Sequence, residues 1–201
     1  MNVTEPTKAS SPSDRRIAHG QTLLWAGSIA TLWRVQQGVF RLEHPLRDGQ
    51  AMLHLALAGD LLGVEALCTG TCTCTCTVTA LTDCVATPEP APASTQHTAL
   101  LAAAFRQQQQ QALDMALLRS GTVVGRLAHL LKLLARRADG TAIPLERKAL
   151  PPLKDLAQII DSTPETVCRE LNRLLPARKR QAPVREHSLW LGAAGPFAPA
   201  F

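Results

Sequence analysis

Residues 153–160 read LKDLAQII, residues 164–175 read PETVCRELNRLL, and a three-residue break, DST at 161–163, separates them. Apolar side chains recur at helical spacing in both segments, so each predicts a short helix. The Pro-Pro pair at 151–152 favours a helix start just before the first segment. Two helices separated by a few residues form the plan of the helix-turn-helix. This stretch therefore predicts the fold of the carboxyl-terminal part of the chain.

The residues of the break suit such a turn. Asp161 stands where glycine is often found, and Asp tolerates the left-handed conformation better than most residues. Thr163 is the expected N-cap of the second helix, and Pro164 is its expected first residue. Ala157 is small where the two helices must approach closely. Five apolar side chains are expected to share one small core: Leu156, Ile160, Val167, Leu171 and Leu174.

The amino-terminal turn of the second helix is predicted to enter the major groove of DNA. This geometry exposes Glu165, Cys168 and Arg169 as base-reading residues. Arg can donate two hydrogen bonds to guanine, while Glu can accept one from cytosine or orient the Arg. A single charge is more often an ordinary solvated residue, but the whole set indicates a DNA interface. The residues expected to contact phosphates are Thr163, Arg173, Arg178, Lys179, Arg180 and Arg185.

The chain divides into four segments. Residues 1–16 are rich in Ser, Thr and Pro and predict a disordered tail. Residues 17–93 contain short apolar stretches punctuated by glycine, which predicts strands that close into a β-barrel, with a hairpin turn at 48–49. Residues 94–120 predict a long helix, and residues 121–201 predict a winged helix-turn-helix domain. The stretch VREHSLWL at 184–191 can supply a strand of the wing.

The long helix is predicted to begin at Ser94, which can cap a helix after the Pro-rich stretch at 88–93. Its apolar stripe is longer than a small barrel needs, so it predicts pairing with the same helix of a second subunit. The alternative is an ordinary helix packed on its own barrel. A second amphipathic helix is expected between Gly121 and Asp139. The stripe consists of Leu101, Ala104, Phe105, Ala112, Met115 and Leu118.

The composition limits the classes of function. The 201 residues carry 21 Lys plus Arg against 16 Asp plus Glu, and the net charge of +5 is compatible with a polyanionic partner. No apolar run approaches the ~20 residues that cross a bilayer, and the start lacks a secretory signal, so a cytoplasmic protein without a membrane partner is expected. Six cysteines should then stay reduced. Without a catalytic triad, a phosphate-binding glycine loop or a zinc-hydrolase motif, an enzyme is not expected.

Further pieces of the sequence carry a family resemblance. TPETVCREL at 163–171 resembles the recognition element of the Fnr and FixK branch of the Crp/Fnr family of transcription regulators, and HSLWL at 187–191 resembles the family's wing. The segment SGTVVGRLAHLLKLLARR at 120–137 resembles the helix that begins the DNA-binding domain of that family. Several earlier pieces resemble its cyclic-nucleotide-binding barrel: HGQTLLWAG at 19–27, VQQGVFRL at 35–42, RDGQ at 47–50, LALAGDLLG at 55–63 and ALTDC at 80–84.

The resemblance implies an α+β fold. It consists of an amino-terminal cyclic-nucleotide-binding-like β-barrel (a double-stranded β-helix) as sensor, a long dimerisation helix, and a carboxyl-terminal winged helix-turn-helix. It also implies a sequence-specific transcription regulator that binds a two-fold symmetric site on double-stranded DNA as a homodimer. Glu165 and Arg169 would be the principal base readers, and one surface would contact RNA polymerase. Half-sites would be spaced by one helical turn, roughly 34 Å.

The segment from Gly59 departs from the family pattern. In members that bind cyclic AMP, it offers a Glu for the ribose and an Arg-Ser or Arg-Thr pair for the phosphate. Here Glu65 is one place out of register, and Cys74-Thr75 stands where that pair would be. A buried phosphodiester without a guanidinium loses its strongest charge-assisted hydrogen bonds. Cyclic nucleotides are therefore not expected to regulate this protein through the usual site, which leaves a redox or metal signal as a hypothesis.

A cysteine cluster stands in place of that cassette: Cys68, Cys72, Cys74 and Cys76. On an extended strand the last three would share one face about 7 Å apart, too far for three sulfurs on one zinc unless the strand bends. Three interpretations stay open: small buried side chains alternating with threonine, a redox or metal sensor, and a haem or iron-sulfur site. The candidate haem ligands are a cysteine or one of His19, His44 and His54.

The cysteine cluster also defines the alternative function, a thiol- or metal-handling protein. Cys84 is expected to be an ordinary buried barrel residue. Cys168 is a separate redox candidate, because oxidation would add bulk and often negative charge within the DNA interface. Its alternatives are simple packing or contact with a thymine methyl group. A Cys168→Ser protein that lost DNA affinity under peroxide as steeply as the parent would contradict the redox hypothesis.

Overall fold

The computed structural model describes residues 13–46, 51–90 and 92–175. The strands in this part of the chain are β1 Arg15–Ile17, β2 Thr22–Leu24, β3 Trp33–Gln37, β4 Phe40–Pro45, β5 Ala51–Ala56, β6 Leu61–Leu62, β7 Thr77–Ala80 and β8 Cys84–Pro88. The α-helices are α1 Ser94–Arg119, α2 Val123–Ala135, α3 Leu153–Ile159 and α4 Pro164–Leu174. Two short 3₁₀ helices cover Val64–Leu67 and Arg147–Ala149.

The strands form two antiparallel four-stranded sheets that face each other as a barrel. Their orders are β1-β8-β3-β6 and β2-β7-β4-β5. In β4, Phe40 and Leu42 are buried while Arg41 between them is not, the alternation that makes this stretch a strand with one face inside. Inward side chains of both sheets share one apolar cluster, whose members include Ile17, Leu24, Val35, Phe40, Leu62, Val78, Cys76 and Cys84.

A second core joins the barrel to the helices. Leu53, Leu55 and Leu57 belong to the same buried cluster as Leu118 of α1 and Leu156 of α3. The helices are therefore packed on the second sheet, and apolar contacts run without a break from the barrel to the helix-turn-helix. No helix in the described ranges has the length and apolar character needed to span a membrane.

The order of barrel, long helix and helix-turn-helix confirms the predicted fold class. Two local boundaries differ from the prediction. β1 begins at Arg15, inside the predicted tail, and Ser94 is the first residue of α1, with Ala93 rather than the serine as N-cap. The predicted turn at 48–49 and the wing strand at 184–191 lie outside the described residues, although β4 and β5, which flank that turn, pair as neighbours.

The apolar stripe predicted on α1 is divided between two faces of the helix. Ala104 is buried in a small cluster with the barrel residue Leu61, while Leu118 is buried in the larger core, on which Met115 also packs. Only part of the stripe is therefore free for a second subunit. The large apolar side chains that α1 leaves exposed are Leu101, Phe105, Leu113 and Leu117. At 3.6 residues per turn, these four lie on the half of the helix that faces away from the barrel.

Candidate nucleic-acid interface

The turn between α3 and α4 has the local structure that its sequence predicts. Asp161 has a φ of 50°, in the left-handed region. Thr163 caps α4, since its Oγ1 accepts a hydrogen bond from the Thr166 N–H at 3.3 Å, and Pro164 is the first helical residue. Leu174, however, is 36% exposed, so its predicted place in the core is wrong; it is the last residue of α4, nearly a turn beyond the buried Leu171.

The first two turns of α4 present the three predicted base-reading residues together. Glu165 and Arg169 are exposed, and Cys168 between them is half-buried. With Asn172, these side chains border one shallow groove on the surface. Glu165 makes no hydrogen bond or ion pair with any described residue, so its carboxylate is available. This face therefore offers a carboxylate acceptor and a guanidinium donor one helical turn apart.

Glu170 is a buried carboxylate that the sequence reasoning missed. It is 5% exposed, and both neighbouring arginines bind it. Arg169 Nε donates to its Oε1 at 3.2 Å, and Arg173 donates to Oε1 at 3.2 Å and Oε2 at 3.1 Å. Because Glu170 lies three residues after Val167, helical periodicity places it on the core face, and that spacing could have revealed it. Glu170 holds the two arginines by their guanidinium groups.

The predicted phosphate-contacting residues are only partly described. Thr163 uses its hydroxyl as the cap of α4 and also donates to Thr166 Oγ1 at 3.1 Å. Arg147, distant in sequence, reaches the same surface and donates to Asn172 Oδ1 at 2.6 Å. No local signal places Arg147 there, because a tertiary contact positions it. The remaining candidates lie outside the described residues: Arg178, Lys179, Arg180 and Arg185.

Polar contacts tie the barrel to α3. Arg41 of β4 donates to Gln158 Oε1 at 3.3 Å and lies 3.8 Å from the Asp155 carboxylate. His19 Nε2 lies 3.4 Å from the same carboxylate. Arg126 of α2 donates to the carbonyl oxygen of Ile160, the C-cap of α3, at 2.6 Å. Strand β4 and the first helix of the helix-turn-helix are therefore in direct polar contact.

The segment that replaces the nucleotide cassette binds one of its own side chains. The backbone N–H and the hydroxyl of Thr75 both donate to Glu65 Oε1, at 2.8 and 2.5 Å. Thr75 stands where cyclic-AMP-binding members offer donors to the phosphate, so a carboxylate already takes these donors. Cys74 stands at the position of the guanidinium. The residues present do not fit a cyclic nucleotide phosphate at this place.

The cysteine cluster is not gathered into one site. Cys74 and Cys76 are buried in the barrel, whereas Cys68 is exposed and Cys72 half-buried. Burial raises the pKa of the Cys76 thiol to about 12, so it stays protonated and is a poor nucleophile and metal ligand. Strand β7 begins only at Thr77, but Cys74 and Cys76 are buried while Thr73 and Thr75 are exposed, as expected for small buried side chains that alternate with threonine. Among the described residues, no three His, Cys, Asp or Glu side chains are grouped so as to hold a metal ion.

Two of the candidate haem ligands, His44 and His54, are neighbours. The His44 and His54 rings contact each other edge to face at 5.5 Å, and burial lowers the pKa of both. Cys84 is buried, as expected, and its thiol donates to the Val39 carbonyl at 3.3 Å. The Cys168 Sγ accepts only a weak contact from Asn172 Nδ2 at 4.0 Å, so redox control through Cys168 stays a prediction.

The described part of the chain thus combines a two-sheet barrel, a long helix and a helix-turn-helix. Residues 14–88 match the family model of the cyclic nucleotide-binding domain. No curated protein sequence matches the chain.

Solved structures resemble most of the chain. The chain is 25% identical to a CRP-family transcriptional regulator from Thermus thermophilus, and the alignment covers 80% of this chain and 83% of that one with a TM-score of 0.60. A CRP/FNR-family transcriptional regulator from the same organism is 23% identical over 81% and 85%, with a TM-score of 0.57. FixK2 from Bradyrhizobium japonicum is 20% identical over 81% and 84%, with a TM-score of 0.56. The last two likenesses show the fold alone.

Proposed function

We propose that this protein is a sequence-specific DNA-binding transcription regulator of the Crp/Fnr type that acts as a homodimer. The observation that carries the proposal is the capped α4, whose amino-terminal face leaves Glu165 and Arg169 exposed beside each other. The likeness to CRP-family regulators over four-fifths of the chain supports it. We do not propose an enzymatic activity for this protein. In such a regulator one surface also contacts RNA polymerase.

The signal is not cyclic AMP entering the usual cassette. A phosphate placed at Thr75 would have to displace the carboxylate of Glu65 and would find no guanidinium in return. Charge-assisted bonds to Arg are among the strongest that a phosphate forms in a protein, and repulsion by Glu65 would add to the loss. The thiol- or metal-handling alternative has no supporting observation, because Cys74 and Cys76 are buried with raised pKa values.

Selection from a random-sequence DNA library tests the proposal. We expect enrichment of a two-fold symmetric duplex that binds about 10³-fold or more tightly than an unrelated duplex at the same salt concentration. The affinity should fall steeply as salt is raised, because phosphate contacts release counterions. Cyclic AMP should leave both affinities unchanged. Recovery of no preferred sequence would contradict the proposal.

Dimerisation is predicted to depend on the outward face of α1. Phe105 is 63% exposed and lies on that face with Leu101. Phe105→Glu should convert a dimer of two 21.6 kDa chains into monomers, since a buried unpaired carboxylate opposes helix pairing. Light scattering measures the mass. Phe105→Leu is the matched control and should stay dimeric; a dimeric Phe105→Glu protein would place the contact elsewhere.

A further inference from the structure

A cavity of about 350 Å³ lies between the barrel and α1. One wall is formed by the end of β5 and the turn at Gly59 and Asp60, and the other by α1 from Ala103 to Asp114. Arg136, at the end of α2, closes one side. The lining includes Gly59, Asp60 and Leu61 at the start of the altered segment, but not Glu65, Cys74 or Thr75, so this cavity is separate from the place that Glu65 fills. Its volume suits a small molecule rather than a solvent gap.

Polar contacts build the walls of the cavity. The Gln107 side chain forms two hydrogen bonds with the backbone of Leu61, accepting from its N–H at 2.7 Å and donating to its carbonyl at 2.8 Å. Arg34 is fixed by Glu89 and donates to the Gly59 carbonyl at 3.3 Å. The position of α1 against the barrel is thereby held at the rim, which leaves the cavity as a preformed space.

The acidic residues of the cavity already have partners. Asp60 accepts a hydrogen bond from the Leu57 N–H at 2.8 Å, and burial is the main cause that raises its pKa, against the attraction of Arg136. Asp114 lies 3.1 Å from His129 Nε2 and accepts a hydrogen bond from Gln110 at 3.2 Å. Neither carboxylate therefore needs a ligand.

The donors, in contrast, are in excess. The guanidinium groups of Arg106 and Arg136 line the cavity from its exposed side and form no hydrogen bond or ion pair with the described residues. The Gln111 Nε2 is fully buried and has no partner with full hydrogen-bond geometry among the described residues. Its amide lies close to the Asp60 carboxylate, and this proximity lowers the pKa of Asp60 against the larger effect of burial. A buried donor without an acceptor costs about 1–3 kcal/mol, so an acceptor in this space would be stabilising.

We propose that this cavity binds a small organic anion, whose carboxylate or phosphate group is held by Arg106 and Arg136. Its two walls belong to the barrel and to the helix that pairs with a second subunit. This inference rests on the proposed function. The anion would be the regulatory ligand, because its binding would fix α1 relative to the barrel.

Thermal denaturation with inorganic phosphate or succinate, at matched ionic strength and without DNA, tests the site. The parent should show a saturable rise in Tm with at least one of these anions, and which one responds distinguishes phosphate from carboxylate chemistry. Arg106→Gln should weaken that response about tenfold or more, since it removes a charge-assisted hydrogen bond. Arg119→Gln, on the same helix but outside the cavity, is the matched control and should respond like the parent.

Two results would overturn the site: no saturable response with either anion, or equal responses in Arg106→Gln and Arg119→Gln. Both substituted positions are exposed, so the fold should survive either change. Because the denaturation measurements contain no DNA, a negative result would contradict the anion site and not the DNA-binding proposal. Conversely, failure to select a DNA site would not affect the measurement of anion binding.

Discussion

Replacing Arg169 by glutamine is expected to reduce affinity for the selected DNA site by about 10- to 100-fold per half-site, because one bidentate contact to guanine is worth about 1–3 kcal/mol. The affinity for unrelated duplex should change little, since that binding depends on phosphate contacts. The protein should still fold, because Arg173 continues to pair with the buried Glu170 when Arg169 is lost.

Fluorescence anisotropy with the selected and an unrelated duplex, at one salt concentration, measures both affinities. Arg173→Gln is the matched control from the same helix. It should weaken binding to the two duplexes by similar factors and reduce the salt dependence, as expected for a phosphate contact. If Arg169→Gln weakened binding to both duplexes equally, Arg169 would be a phosphate contact, and the residues proposed to read bases would have to be reassigned.

The helix-turn-helix was predictable because its signals are local. Asp161 in the left-handed region, Thr163 as cap and Pro164 at the first helical position depend only on backbone preferences of neighbouring residues. Each preference holds wherever the helix lies in the molecule. The order of strands and helices in the barrel half was predictable for a related reason, because glycine spacing and apolar alternation report strands without reference to their partners.

The contacts that join distant segments were not predictable in the same way. Periodicity shows that α1 has apolar residues on several sides, but it does not show which side packs on the barrel. The predicted dimer stripe therefore includes Leu118, which is buried, and lacks Leu113, which is exposed. The Glu65 contact with Thr75 crosses ten residues and depends on how the 3₁₀ helix Val64–Leu67 directs its side chains. The sequence alone shows that the cassette is altered. The structure shows that the Glu65 carboxylate takes the Thr75 donors that a phosphate would need.

Glu170 illustrates a third limit. Charged residues on an amphipathic helix are usually assigned to solvent, and an arginine one residue before or three residues after Glu170 looks like one more DNA contact. In the structure the same arginines neutralise a buried carboxylate, which determines where they point. The charge pattern of α4 therefore serves two purposes, since it fixes the helix in its core and presents Arg169 beside Glu165.

Gly63→Ala is expected to destabilise the barrel strongly, by about 3 kcal/mol or more, from backbone strain and overpacking combined. Gly63 follows β6 with a φ of 67° and starts the short helix that carries Glu65. A Cβ there would lie 2.1 Å from the Thr31 carbonyl oxygen and 3.2 Å from Leu24 Cδ1. Because the first of these atoms belongs to the backbone, a rotamer change cannot relieve the contact. Thermal denaturation should show Tm lowered by roughly 6 to 12 °C.

Gly70→Ala separates the two causes of that loss. Gly70 has a φ of 84°, so alanine there suffers comparable left-handed strain, but no atom lies within 4 Å of its added Cβ. Its cost should therefore be only the strain, about 1–2 kcal/mol. The difference between the two variants measures the close approach of Gly63 to Thr31, the contact that places the Glu65 turn against the barrel. Equal losses of Tm would mean that this turn yields to the added Cβ, and the predicted overpacking against Thr31 would be wrong.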